Sequence, residues 1–263
     1  MAKNIVIDAG HGYKTAGKRC LKKLDANETR EWSLNDRIAD KVEELLKGYD
    51  NCNVIRSDDT TGLKDVSLKD RVKTANTVKA DIIISIHHNA GINGKTGGGT
   101  TVCCWNTEKS KNKAKALYNA VVAQTGLKGN RANPISVRTD LYLIKNTNAT
   151  CLLLENGFMD SATDVPIILS ESHANKTAQG IVNYLADELG LVNKKIVQPT
   201  EKNYLRGQEI SLKAGAKYYD GKAIPSWVFK KTLYYRGKNN NGIIFSTLKS
   251  GAITGVVKPE YVD

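Results

Sequence analysis

Apolar and polar positions over residues 1–190 follow two alternating periods. Short β-branched runs at Asn4–Asp8, Asn53–Arg56, Asp81–His87, Gly99–Trp105, Leu141–Lys145 and Cys151–Glu155 read as strands. Between them the spacing turns helical. Leu34, Ile38, Val42, Leu45 and Leu46 recur on one face from Glu31 to Lys47, and Gly48 is placed to end that helix. Ser67 followed by Asp70 has the form of a capping box opening a second helix that runs to Lys79. Lys109–Gln124 and His173–Leu189 read as the third and fourth, the last stopped by Gly190. Strands alternating with helices predict an α/β domain on an open, mostly parallel twisted sheet flanked by helices.

The pattern changes in VNKKIVQPTEKN, a polar stretch carrying Pro199 and no periodicity, so the expected division is a domain over 1–193, a linker over 194–203 and a second domain over 204–263. In that last part, short alternating runs separated by Gly and Asn turns predict a small all-β barrel or sandwich. It holds nine of the seventeen aromatics, and ten lysines and arginines against four acids, so half of the formal charge of +12 lies in the last quarter of the chain. A basic end of this kind attracts nucleic acid, anionic lipid or an anionic wall polymer, and charge does not choose among them.

No apolar run approaches the roughly 20 residues that span a bilayer. The opening MAKNIVIDAGHG is too short in apolar residues for a signal peptide, and cleavage beyond it would remove His11. The expectation is a chain made in the cytoplasm without signal peptide or membrane insertion. Cys20, Cys52, Cys103, Cys104 and Cys151 are odd in number, form no CxxC pair and sit mostly in apolar runs, which reads as reduced structural thiols rather than a thiolate metal site.

Three of the apolar strands finish on polar groups: NIVIDAGHG on His11, DIIISIHHN on His87 and CLLLENGF on Glu155. In an open α/β sheet such groups meet beyond the carboxyl ends of the strands. Two histidines invite a catalytic zinc, which takes three protein ligands and keeps one position open. Glu28 and Glu31, in NETREWSLN near the start of the first helix, are alternative third ligands, leaving Glu155 as general base. His88 points away from His87 by strand alternation and reads as a flanking or surface residue, and His173 as a helix-start residue.

Taken in order, IDAGHG, EWSLN, SIHHNA and LLLENGFMD resemble the zinc N-acetylmuramoyl-L-alanine amidases of bacterial autolysins and phage endolysins, over roughly residues 3–190. The resemblance implies His11, Glu31 and His87 as ligands of one catalytic zinc. Glu31 is preferred to Glu28 because Asn35 follows it by four. It implies Glu155 as the catalytic carboxylate, and hydrolysis of the bond between N-acetylmuramic acid and L-alanine by zinc-activated water. His88 stands where the family often has alanine, and Asn156 and Met159 are variants beside Glu155.

From Tyr204 the chain resembles, more loosely, bacterial SH3-like wall-binding modules, in GAKYYDGKAIPSWV and GAITGVV. The partners so implied are peptidoglycan and anionic wall polymers of a Gram-positive host, with an endolysin acting on the wall after release from the cytoplasm. A nucleic-acid-binding protein accounts for the charge but not for His and Glu at strand ends. A catalytically dead wall binder leaves the full ligand set unexplained, and a zinc peptidase of the HExxH type lacks its helix motif.

Overall fold

The computed structural model describes residues 2–194 and 204–263, so the expected linker lies outside the described residues apart from Lys194. The chain divides after Lys194 into two units. The first contains β1 (Lys3–Ala9), α1 (Glu31–Leu46), β2 (Cys52–Arg56), α2 (Leu68–Thr77), β3 (Ile82–Asn89), β4 (Thr100–Cys104), α3 (Glu108–Thr125), β5 (Ile135–Val137), α4 (Tyr142–Asn146), β6 (Thr150–Phe158), α5 (Val165–Ile168) and α6 (Glu171–Leu189). Its sheet has the order β2-β1-β3-β6-β4-β5. The first four strands run parallel, while β4 and β5 run with each other and against β6.

Strand alternation sorts the apolar residues onto two faces. Ile5, Ile7, Ile84, Ile86, Leu152 and Leu154 pack with α1, α3 and α6, whose Ile38, Leu117 and Ile181 are buried. Val6, Ile83, Cys103 and Leu153 pack on the other face with Val72 and Ala75 of α2 and Leu143 and Ile144 of α4. Helix ends are built from local chemistry. Ser67, Thr107 and Ser170 accept the N–H three residues on, and Gly126 and Gly190 close α3 and α6 in the left-handed conformation.

The strand expected over Leu141–Lys145 is instead α4. As a strand it would send Leu143 and Ile144 to opposite faces, whereas one helical turn buries both against the α2 side of the sheet. A short apolar run carries no period long enough to separate the two outcomes. The edge position falls to Ile135–Val137, which was too short to stand out. The strands expected to finish at His87 and Glu155 continue to Asn89 and Phe158, with a register shift after His87. None of the five cysteines is paired, and burial pushes the Cys103 thiol up to about 11 and Cys20 up to about 12.

On the α2 face, Asp8 follows Val6 into the interior, where a lone carboxylate is costly. Arg71 of α2 meets it at 2.7 Å, and Ser57 and Ser85 each donate a hydroxyl to it. Arg71 also donates to the carbonyls of Val66, Ala9 and His11, so one guanidinium ties α2 to the chain leaving β1.

The second unit is an antiparallel sheet of β7 (Glu209–Ile210), β8 (Leu233–Asn239), β9 (Gly242–Ser246) and β10 (Gly255–Val257), in the order β10-β9-β8-β7. Ile210, Val228, Leu233, Phe245 and Val257 form its core. Tyr218, Tyr234 and Tyr235 are half-buried, while Trp227, Tyr219 and Phe229 are exposed. Among the described residues no helix is long and apolar enough to cross a membrane.

Replacing Arg71 by Ala leaves Asp8 buried without its counter-charge, with an expected loss of about 3–5 kcal/mol in urea unfolding. Burial raises the Asp8 carboxyl, but the Arg71 charge and the three hydrogen bonds outweigh it, so the net shift is downward. A lowered carboxyl stabilises the fold fully above its unfolded value near 4, and that contribution is lost as pH falls through the lowered folded value. Asp8→Asn should therefore flatten the acid side of the stability profile, measured by urea unfolding between pH 7 and pH 3.

Candidate metal centre and cleft

Beyond β1 the chain turns at His11, whose backbone is left-handed at φ 69°. It then runs back beside the start of α1, where Lys18 O accepts the Glu31 N–H at 3.0 Å and Arg19 bridges Arg30. This return brings Glu31, in the first turn of α1, into the interior with no exposed surface. Glu28 lies apart, with positive φ and an ion pair to Arg19 at 3.2 Å.

Oε1 of Glu31 stands between two imidazoles, 3.3 Å from His11 Nε2 and 3.0 Å from His87 Nδ1, and it accepts the His88 N–H at 3.3 Å. The rings are perpendicular with centroids 4.9 Å apart. Burial alone would raise the Glu31 carboxyl, but the close approach of the two histidines and their charge reverse this and hold it well below the ordinary range. Burial likewise opposes the charged form of His87, and the Glu31 hydrogen bond and charge, with Glu155 behind them, push it up.

Parallel pairing of β3 and β6 sets His87 directly beside Glu155. Both residues share the α2 face with Asp8 and Ser85 by alternation. Burial and the Glu31 charge raise the Glu155 carboxyl, with His87, Lys18 and Arg138 opposing, and its Oε2 is buried without a hydrogen-bond partner. The group opens on a cleft of about 570 Å³ whose walls include Lys18, Arg71, Arg138, Leu141, Tyr142 and Leu68.

Gly10 and Asn35 frame the group. A Cβ on Gly10 would fall 2.1 Å from the His87 ring, so only glycine leaves room for that imidazole. Asn35, four residues after Glu31 and one helical turn along, donates to Gly10 O at 3.1 Å and turns its Oδ1 to His88 Nδ1 at 2.8 Å. His88 is thus no surface residue. Alternation points it away from His87, as expected, but that side of β3 is covered by α1 and α6, and His88 is buried. Burial pushes His88 down to about 3, so the neutral ring donates Nδ1–H to Asn35. Asn156 donates to His87 O at 3.1 Å, and His173 lies in the first turn of α6.

One ligand atom each from His11, Glu31 and His87 lies within 4.8 Å of the others. His11 Nε2 and Glu31 Oε2 are buried without a hydrogen-bond partner. Two nitrogens and one carboxylate oxygen around a shared space, with polar atoms left over, are the donor set that would hold a zinc ion through three protein ligands. Residue pattern did not reveal Lys18, Arg71 or Arg138 as lining residues, because they belong to a loop, a helix and the segment after an edge strand, with no local motif.

The profile of the N-acetylmuramoyl-L-alanine amidase family matches residues 5–187. The chain is 30% identical over 202 residues to an endolysin of Bacillus phage SPP1, covering 74% of this chain and 69% of that protein. It is 30% identical over 187 residues to the probable cell wall amidase LytH of Staphylococcus epidermidis, covering 70% of this chain and 57% of LytH, a little over half of that relative. Among solved structures, the catalytic domain of the amidase CwlV from Bacillus (Paenibacillus) polymyxa matches with a TM-score of 0.63 at 28% identity, over 72% of this chain and 99% of that one. An N-acetylmuramoyl-L-alanine amidase from Clostridium difficile 630 matches with a TM-score of 0.64, also at 28% identity, over 72% and 97%. With its strand-end histidines and carboxylates on this sheet and the profile spanning most of its first unit, the chain belongs to the N-acetylmuramoyl-L-alanine amidase family.

Proposed function

We propose that this protein is a zinc-dependent peptidoglycan amidase that cleaves the bond between N-acetylmuramic acid and L-alanine, with His11, Glu31 and His87 holding one zinc and Glu155 acting as general base. The observation that carries this reading is the convergence of three ligand atoms within 4.8 Å beside a carboxylate fixed by strand register. Zinc, when bound, supplies Lewis acidity, which activates water near neutral pH and steadies negative charge on a carbonyl oxygen.

The chain's own residues do the rest. Gly10 leaves space for His87, and Asn35 ties the Gly10 carbonyl to His88, so the ligands are held before metal arrives. Glu155, beside His87 and facing the cleft, accepts a proton from the attacking water and delivers it to the alanine nitrogen as the C–N bond breaks. In this reading the cleft lined by Glu155, Leu141 and Tyr142 receives the lactyl carbonyl and the stem peptide.

The second unit serves as an SH3-like wall-binding module in this reading. Its support is a small antiparallel sheet with an excess of basic residues and the exposed rings of Trp227, Tyr219 and Phe229, which suit glycan stacking and anionic wall polymers. Tethering it to the amidase raises the effective concentration of substrate. Similarity to an endolysin supports action on the wall of a Gram-positive host after release from the cytoplasm.

Incubation with isolated Gram-positive peptidoglycan should free N-terminal L-alanine and no reducing sugar ends, and a chelator should stop it. Release of sugar ends instead, or alanine release indifferent to chelation, sinks the assignment. Glu155→Gln should lower kcat by at least about a hundredfold while zinc content measured by atomic absorption stays at one per chain. His11→Ala should abolish both turnover and zinc retention. Gly10→Ala, by displacing the His87 ring, should weaken zinc binding about 10–100-fold in competition with a chromogenic chelator.

A further inference from the structure

Three cations line the cleft: Lys18, Arg71 and Arg138. Arg71 is saturated, with Nε, Nη1 and Nη2 all spent on Asp8, Asp65 and the carbonyls of Val66, Ala9 and His11. Lys18 stands 3.7 Å from the outer oxygen of Glu31. Arg138 differs from both. It follows β5, whose pairing sets Ser136 beside Cys103 on the α2 face, and alternation puts Arg138 on that face two residues later. Its N–H is anchored on Cys104 O at 2.9 Å. Its side chain reaches the cleft, where its charge is felt by Glu155.

Asp140 pairs side-on with the guanidinium, accepting from Nε at 2.8 Å and from Nη2 at 2.7 Å. That pair occupies the side edge of the fork. A guanidinium has five N–H donors, so both hydrogens of Nη1 and the second of Nη2 remain, and together they make a second bidentate edge. Among the described residues nothing occupies this edge. An open guanidinium edge, in a cleft whose Arg71 is saturated and whose Lys18 stands beside Glu31, suits a planar anion from the substrate.

We propose that Arg138 is a positioning residue that binds the free α-carboxylate of the D-isoglutamate following the alanine in the stem peptide. This rests on the amidase reading. If the scissile nitrogen is that of L-alanine, the next residue, joined through its γ-carboxyl, presents the first negative charge on the leaving side. At about 3.4 Å of chain per extended residue it falls one residue beyond the scissile bond, and the cleft that Glu155 lines is also lined by Arg138. A carboxamide in place of that carboxylate turns a donor toward a site made only of donors, so Arg138 makes the enzyme selective for walls with unamidated isoglutamate.

The test uses the full-length, zinc-loaded protein and two synthetic fragments, N-acetylmuramoyl-L-alanyl-D-isoglutamate and its D-isoglutamine counterpart. The wild type should favour the acid by about tenfold or more in kcat/KM, with the difference carried by KM. Arg138→Met should bring the ratio of the two substrates close to one. Arg138→Lys should restore part of it, because a point charge replaces the fork. Equal use of both fragments by the wild type, or a preference that survives in Arg138→Met, overturns the proposal. Failure to cut either fragment and intact peptidoglycan alike overturns the amidase reading, and this inference with it.

Discussion

A carboxylate with no exposed surface, Glu31, is the constraint around which the first unit is arranged. Burying an ionised carboxyl is affordable only with charged or hydrogen-bonding partners at hand. Here the partners are the imidazoles of His11 and His87 and the His88 N–H, all converging on one oxygen. To supply them the chain must leave β1 through a left-handed turn, bring α1 back over the sheet and carry β3 past its apolar run. The same convergence that satisfies Glu31 makes the space for a metal.

The sheet separates chemistry from support. On the α2 face, Asp8, Ser85, His87 and Glu155 line up across β1, β3 and β6 and meet the cleft. On the opposite face, His88 and Asn35 form a buried neutral pair that holds the Gly10 carbonyl, and Gly10 in turn yields space to His87. The covered face is thus linked to His87 through Asn35 and Gly10. Arg71 performs the corresponding task on the cleft side, where one guanidinium anchors the carboxyl of Asp8 and the carbonyls of Ala9 and His11. Its nitrogens are all engaged in these bonds within the fold.

Much of this was legible from residue order. The apolar runs of β1, β3 and β6 and the helical faces of α1, α3 and α6 carry periods long enough to be unmistakable, and their ends carry capping chemistry. Leu141–Lys145 suggests a strand and forms a helical turn, because two adjacent buried residues in five are satisfied by a helical turn as readily as by a strand. His88 was misread because alternation tells which face a side chain takes but not what covers that face. Residue types alone left Glu28 and Glu31 open, and the folded chain separates them by pairing Glu28 with Arg19 and burying Glu31.

The sequence by itself determined the α/β class, the strands that lead to His11 and carry His87 and Glu155, and a β-rich C-terminal part, because these follow from local periodicity and turn chemistry. Only the tertiary structure decided that β4 and β5 run against the other strands, that His87 and Glu155 share one register, and that Lys18, Arg71 and Arg138 meet in one cleft. Strand direction, pairing register and the meeting of distant charges depend on which segments pack together. That choice is set by the burial of whole faces, which no short stretch of sequence contains.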